Sequence, residues 1–351
     1  ADHVKTTPLP LSYDPARLRY RHIIGTGGIG SGRMFALQGN HTLGREESRA
    51  GRFTNSRDYC KLHIIAHYLA VLLGPNVTVL PVGAVGDDGE GAGLLEEMRE
   101  AGLDLTYVRQ DLTHPTLSCI CLIYPDGSGG NFTVDDSASA QVSAEQVTEA
   151  IDGLGGDHPA VVVAVPEVPL AARTALLSGA RPGDLRAASF LSEEMAVVRT
   201  HNVLADVDVL AINLDEATAL AELSGEQSPE RVLAGAWAVA RNVNPTIVLS
   251  VTGGGLGSWL TVGGELFHQP AHEVTIGTTA GAGDAHLSGL LAGLALGLPS
   301  PQAHELAALV AAAAVTGPHT INFDLGRELL AELGCSAASS AAVRALIVEQ
   351  R

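Results

Sequence analysis

Thr278-Thr279-Ala280-Gly281-Ala282-Gly283-Asp284-Ala285-His286 is a run of small residues with one carboxylate, opening into the apolar Leu287-Ser288-Gly289-Leu290-Leu291-Ala292-Gly293-Leu294. Gly281 and Gly283 lack Cβ atoms, so the backbone there can turn tightly and lie against a ligand. A helix that starts at this point aims its unpaired first amides and its positive dipole end at the turn, which suits an anion such as a phosphate. Asp284 then stands where a carboxylate can take a proton from a hydroxyl attacking that phosphate. Taken alone, Gly281 to Asp284 also read as a tight turn with an Asp cap.

Two further stretches precede it. The strand-like Val207 to Ile212 runs into Asn213-Leu214-Asp215-Glu216. An amide and a carboxylate three residues apart share a face at a helix start. They can close a capping box or hold magnesium through its waters. The apolar Pro245 to Val251 leads into Thr252-Gly253-Gly254-Gly255-Leu256-Gly257, and Ser258 to His268 reads as a hairpin about Gly263-Gly264.

In order, these stretches resemble the Asn-x-x-Glu, Thr-x-Gly-x-x-Gly and Gly-Ala-Gly-Asp motifs of the ribokinase-like (PfkB-type) carbohydrate and nucleoside kinases. Thr278 stands where the family usually has Asp, and His286 where it usually has Phe. The resemblance implies an α/β fold: one doubly wound, mostly parallel sheet with helices on both faces, spanning residues 1–351 as a single domain. A small β lid, from about 33–56 and 116–136, would cover the acceptor and form a homodimer contact. The implied activity is transfer of the ATP γ-phosphate to a hydroxyl of a small sugar, polyol or nucleoside. Asp284 would be the catalytic base, and the backbone of Gly281, Ala282 and Gly283 the anion hole. Asn213 and Glu216 would hold Mg2+, and Thr252, Gly254 and Gly257 would line the ATP site. His319 and Asn322 would border the adenine. The family's monovalent-cation site draws on the position taken here by Thr278, so potassium dependence is not implied.

The N-terminal part departs from that pattern. Tyr20 to Ile24 reads as the first strand, followed by Gly25-Thr26-Gly27-Gly28-Ile29-Gly30. Aligned on Gly25, the family's substrate-gripping Asp falls on Gly30, and its Gly-Gly-x-x-Asn segment is missing. The polar run Asn55 to Lys61 stands there instead, before a helix over 63–73. The substrate-binding candidates are therefore Gly28, Gly30, Arg33, Asn55, Arg57, Asp58 and Lys61, joined by Glu167 of Pro166-Glu167-Val168-Pro169. Read alone, any of the polar ones is also an ordinary solvated helix start. Two other readings follow from the same stretch. One is a weak or inactive nucleotide-binding, regulatory homologue with an altered ligand site. The other is a dinucleotide-binding oxidoreductase on Gly25-x-Gly27-x-x-Gly30, which requires a helix directly after the last glycine.

Elsewhere the chain alternates strand and helix, as a parallel sheet with right-handed crossovers requires. Val77 to Gly89 reads as a strand and turn, with Asp87 and Asp88 as turn acids and helix cap. Gly91 to Ala101 reads as an amphipathic helix, and Leu103 to Val108 as the next strand. Thr116 to Tyr124 and Asn131 to Val134 flank a Gly-rich turn as a hairpin. Ala160 to Val165 is a continuous apolar strand, expected to be buried on both faces. Leu185 to Phe190 is a strand between helices at 170–179 and 193–205, with further helices at 301–316 and 325–350.

The 351 residues carry a net charge of −18 and 40 glycines. That charge argues against nucleic acid or an anionic membrane as partner. Cys60, Cys119, Cys121 and Cys335 read as buried reduced thiols, since Cys119 and Cys121 have no second pair or neighbouring His. Residues 1–15 lack a signal-peptide pattern and no window reaches membrane-span length. A cytoplasmic location is expected.

Overall fold

A computed structural model describes residues 7–334 and 339–348. Residues 1–6 of the N-terminal lead-in, Cys335 and part of the closing helices lie outside the described residues.

The strands are β1 (His22–Thr26), β2 (Gly30–Leu37), β3 (Gly51–Tyr59), β4 (Thr78–Gly86), β5 (Val108–Asp111), β6 (Leu117–Ile123) and β7 (Gly129–Thr133) in the first half. The second half adds β8 (Ala160–Ala164), β9 (Leu185–Ala188), β10 (Val209–Asn213), β11 (Val248–Thr252), β12 (Ser258–Val262) and β13 (Glu265–Gln269). Among the described residues the main sheet has the order β13-β12-β11-β10-β9-β8-β1-β4-β5. Its strands pair in parallel except for the β11-β12-β13 edge, which is antiparallel.

Every residue of β8 is buried, and the reason is its alternation between two cores. Val161 and Val163 pack with the Lys61–Leu73, Ala282–Ala295 and Ser300–Ala314 helices, while Val162 and Ala164 pack beneath the Leu170–Ser178 and Pro229–Val243 helices. A strand covered on both faces has no use for polar alternation, which is why this stretch is legible as a continuous apolar run. No helix among the described residues is long and apolar enough to cross a membrane.

The strand order runs outward from β1 in both directions, so connections diverge there. Ligands of such sheets bind beyond the carboxyl ends of the strands at that divergence. A second, smaller sheet has the order β3-β2-β6-β7 and is built mainly from the two segments expected to supply a lid.

Several boundaries differ from the sequence reading. The strand expected at 103–108 begins only at Val108, and the helix expected at 193–205 shrinks to Met195–Thr200 flanked by 3-10 turns. Residues 55–59 are lid strand rather than a helix start, because β3 pairs with β2. The stretch after Gly30 is also strand. Without a helix at that point, Gly25-x-Gly27-x-x-Gly30 cannot present a helix N-terminus to a pyrophosphate, and the dinucleotide reading falls. Cys119 and Cys121 are half-buried, whereas Cys60 is buried; these three are free thiols.

Candidate active site

Strand ends and helix starts deliver the side chains. Asn213 closes β10 and Thr252 closes β11, and the two are paired neighbours in the sheet. Glu167 follows β8, and Lys61 is the first residue of the Lys61–Leu73 helix. Gly281 caps the Ala282–Ala295 helix from the left-handed region, φ 83°. A Cβ there would lie 2.8 Å from the Thr320 carbonyl oxygen, so both conformation and space favour glycine. These elements enclose a cleft of about 700 Å³ lined by Lys61, Asn213, Glu216, Thr252, Gly254, Gly257 and the turn from Gly281 to Asp284.

Asp284 sits in the first turn of its helix with 13 % of its side chain exposed, and its Oδ2 lies 3.7 Å from Lys61 Nζ. Burial lifts the Asp284 carboxyl above the usual carboxylate range, while the Lys61 ammonium pulls it back down. The same carboxylate raises the Lys61 ammonium. The Ala282 amide turns back onto the Thr279 carbonyl at 3.3 Å. Gly283 and Asp284 therefore hold the first-turn amides that precede the helix's own acceptors.

Glu167 accepts the Lys61 backbone amide at 2.9 Å and so caps that helix. It adopts φ 81°, a conformation that costs a side-chain-bearing residue about 1–3 kcal/mol and persists where its surroundings enforce it. Asp58 lies within electrostatic reach of Lys61 and Asp284, and burial raises both Asp58 and Glu167. With Glu216, four carboxylates thus act on one ammonium.

Asn213 and Glu216 close a reciprocal capping box, with Glu216 N to Asn213 Oδ1 at 2.8 Å and Asn213 N to Glu216 Oε1 at 3.0 Å. The capping geometry is realised, yet it uses only one Glu216 oxygen, and both Asn213 and Glu216 line the cleft. Burial raises the Glu216 carboxyl. An all-oxygen donor set on a cleft wall fits magnesium held through its waters. His286, in the usual Phe position, is buried and edge-to-face with His304, and burial holds it neutral with a pKa of about 3.

Other candidates stand elsewhere. Gly30 is a packing position: a Cβ there would lie 2.1 Å from the Leu117 carbonyl oxygen, so no side chain could reach a ligand. Gly28 packs on Glu167, whose Cβ would be 2.4 Å from an added methyl. On β3 and its partner, Arg33 and Arg57 are opposite each other and point to the face away from Asp58, because successive strand residues alternate. Arg57 is held by Glu97 at 2.5 Å and Glu90 at 3.3 Å, and Arg33 stacks on Phe53. Asn55 is exposed where the β2–β3 register shifts.

Nor do His319 and Asn322 line the cleft. His319 Nδ1 accepts the Arg57 amide at 2.9 Å, and the buried Asn322 amide donates to the Ala313 carbonyl and Thr316 Oγ1. Both fasten the return loop to its neighbours. The cleft's apolar wall comes instead from Val274, Ile276, Ala308, Ala312 and Val315.

One residue was missed by the sequence reading. Thr320 Oγ1 accepts the Tyr59 amide at 2.8 Å, and its carbonyl packs under Gly281. It ties the end of lid strand β3 to the Asp284 turn, and nothing in Gly-Pro-His-Thr announces this.

A profile of the pfkB family of carbohydrate kinases matches residues 65–325. A fructokinase from Klebsiella pneumoniae is 28 % identical over 228 residues, covering 62 % of this chain and 72 % of the relative. Among solved structures, Arabidopsis thaliana ribokinase complexed with ribose and ATP aligns with a TM-score of 0.68 at 18 % identity, covering 89 % of this chain and 98 % of that one. Thermotoga maritima ribokinase aligns with a TM-score of 0.69 at 17 % identity and the same coverage. The structural neighbours share the fold.

Proposed function

Because the chain belongs to the pfkB family of carbohydrate kinases, we propose that it transfers the γ-phosphate of ATP to a hydroxyl of a small sugar, polyol or nucleoside. The observation that carries the reading is the pairing of a mostly buried carboxylate with first-turn helix amides at the end of one cleft.

Asp284 takes the acceptor hydroxyl proton as that oxygen attacks the γ-phosphorus, the bond to the bridging β–γ oxygen breaks, and ADP leaves. Amides of the first turn and the helix dipole stabilise the charge on the transferring phosphoryl, and the Lys61 ammonium adds to that field. For this chemistry positioning and charge stabilisation outweigh the base. Glu216 and Asn213 would hold magnesium through its waters, and the ion's contribution is neutralisation of the triphosphate. Thr252, Gly254 and Gly257 form the wall beside the nucleotide, and the Val274–Ile276 and Ala308–Val315 surfaces take the flat apolar adenine.

With Gly30 unable to carry a side chain, Asp58 on the lid's inward face takes over the grip on acceptor hydroxyls. Asp58 and Glu167 around a single Lys61 suit a neutral polyhydroxylated acceptor better than an anionic one. The free thiols of Cys60, Cys119 and Cys121 fit a reducing compartment such as cytoplasm.

The test is Asp284→Asn. It should lower turnover by about 10²–10⁴-fold while ATP affinity stays within a few fold, read by a coupled ADP-release assay and by calorimetry. Near-normal turnover would remove Asp284 as the base. A panel of sugars, polyols and nucleosides in the same assay separates a kinase from an inactive nucleotide-binding homologue, which would bind ATP and turn over none of them.

A further inference from the structure

Asp58 on β3, and Cys119 and Cys121 on β6, meet on the inward face of the lid across Gly32 of β2. Gly32 pairs with Asp58 on one side and with Cys119 on the other, and Met34 pairs with Cys121. Residues two apart on a strand share a face, so both thiols point the same way. The missing side chain at position 32 makes the hollow between them. A Cβ built there would lie 2.4 Å from Cys119 Sγ and 3.1 Å from Asp58 Cβ.

The two sulfurs and a carboxylate oxygen lie within 4.8 Å of one another, with Cys119 Sγ 3.8 Å from Asp58 Oδ2. Tetrahedral zinc, with bonds of about 2.3 Å to sulfur and about 2.0–2.2 Å to oxygen, separates its ligand atoms by about 3.5–3.8 Å. The cluster is at or within about 1 Å of that spacing, a change that small side-chain rotations supply. Both thiols are free and all three residues are half-buried.

We propose that Asp58, Cys119 and Cys121 form a binding site for a thiophilic divalent cation of the zinc type, with two thiolates, one carboxylate and a fourth position open to water. Two thiol protons leave to solvent on binding. Sulfur ligands select against magnesium, so this site is chemically distinct from Asn213 and Glu216. A cation held here draws Asp58 onto the lid and away from any acceptor.

The experiment titrates metal-free, phosphine-reduced full-length protein with Cd2+ alone and follows the ultraviolet thiolate-to-cadmium charge-transfer band. The expected result is a single saturable site, displaced by Zn2+ and indifferent to Mg2+. The band should be lost in Cys119→Ser/Cys121→Ser and in Gly32→Ala, which fills the hollow, with folding checked by thermal unfolding. If those variants do not fold, alkylation of the wild type decides: Zn2+ should protect Cys119 and Cys121 from iodoacetamide, read by peptide mass spectrometry. A wild type without a saturable band, a band that survives in the double variant, or thiols that stay unprotected would each overturn the site.

Discussion

Replacing Lys61 by Met removes the positive charge next to Asp284 and leaves a side chain of similar length. At 3.7 Å two unit charges interact by about 1 kcal/mol with bulk-water screening and about 4.5 kcal/mol at an effective dielectric of about 20. A third of the Lys61 side chain is exposed, which places the value between those limits. One pKa unit corresponds to about 1.4 kcal/mol, so the Asp284 carboxyl should rise by about 1–3 units in Lys61→Met. Burial already raises that carboxyl, and the ammonium opposes it. Losing the opposing charge therefore moves the pKa further up. The base works only when deprotonated, so the acid limb of kcat/KM for the acceptor shifts to higher pH, and the plateau is reached later. The assay is a pH profile of coupled ADP release at saturating nucleotide for wild type, Lys61→Met and Lys61→Arg. Arg keeps the charge and should restore the limb even if it lowers the plateau. An acid limb in Lys61→Met that stays in place, or moves to lower pH, would refute the electrostatic coupling of Lys61 to Asp284, whatever happens to the maximal rate.

Acid should unfold this protein early. Burial holds His63 and His286 to about 3, and His67 and His304 to about 4, so each folded-state value lies below the unfolded one. Their stabilising effect is complete above the unfolded pKa of about 6.5 and is lost as pH falls; each costs about 2 kcal/mol by about pH 5. Urea midpoints that stay level between neutrality and pH 5 would contradict this. Arg173 is 1 % exposed and paired with Glu194 through both guanidinium ends. Glu194→Ala should cost about 3–5 kcal/mol by orphaning the buried charge, measured by urea unfolding, with a cost near zero as the contrary result. The outward lid face exposes Phe132 (63 %), Ile120 (43 %) and Phe53 (43 %), a patch that a second copy can cover. Phe132→Asp should halve the mass seen by light scattering after size exclusion; a wild type that is already monomeric refutes the lid dimer.

The features legible before folding are those that depend on local chemistry. The strand ending at Asn213, the Thr252–Gly257 turn and the Gly281–Asp284 helix start are each set by neighbours in the chain. Glycine conformation, capping and apolar runs are short-range properties, and these three stretches meet in one cleft. The two-layered burial of β8 follows from its composition alone. Which side chains face each other across strands depends instead on long-range packing. Asn55 to Lys61 looks helical when read as a polar run, but pairing with β2 makes it a strand down to Tyr59 and sends Arg57 and Asp58 to opposite faces. His319 and Asn322 have the right chemistry for a nucleotide and are instead occupied by Arg57, Ala313 and Thr316. Lys61 meets Asp284, and Asp58 meets Cys119, across separations of 223 and 61 residues in sequence. Register and helix docking place those partners, and they are set by the packing of the whole sheet, which no local pattern encodes.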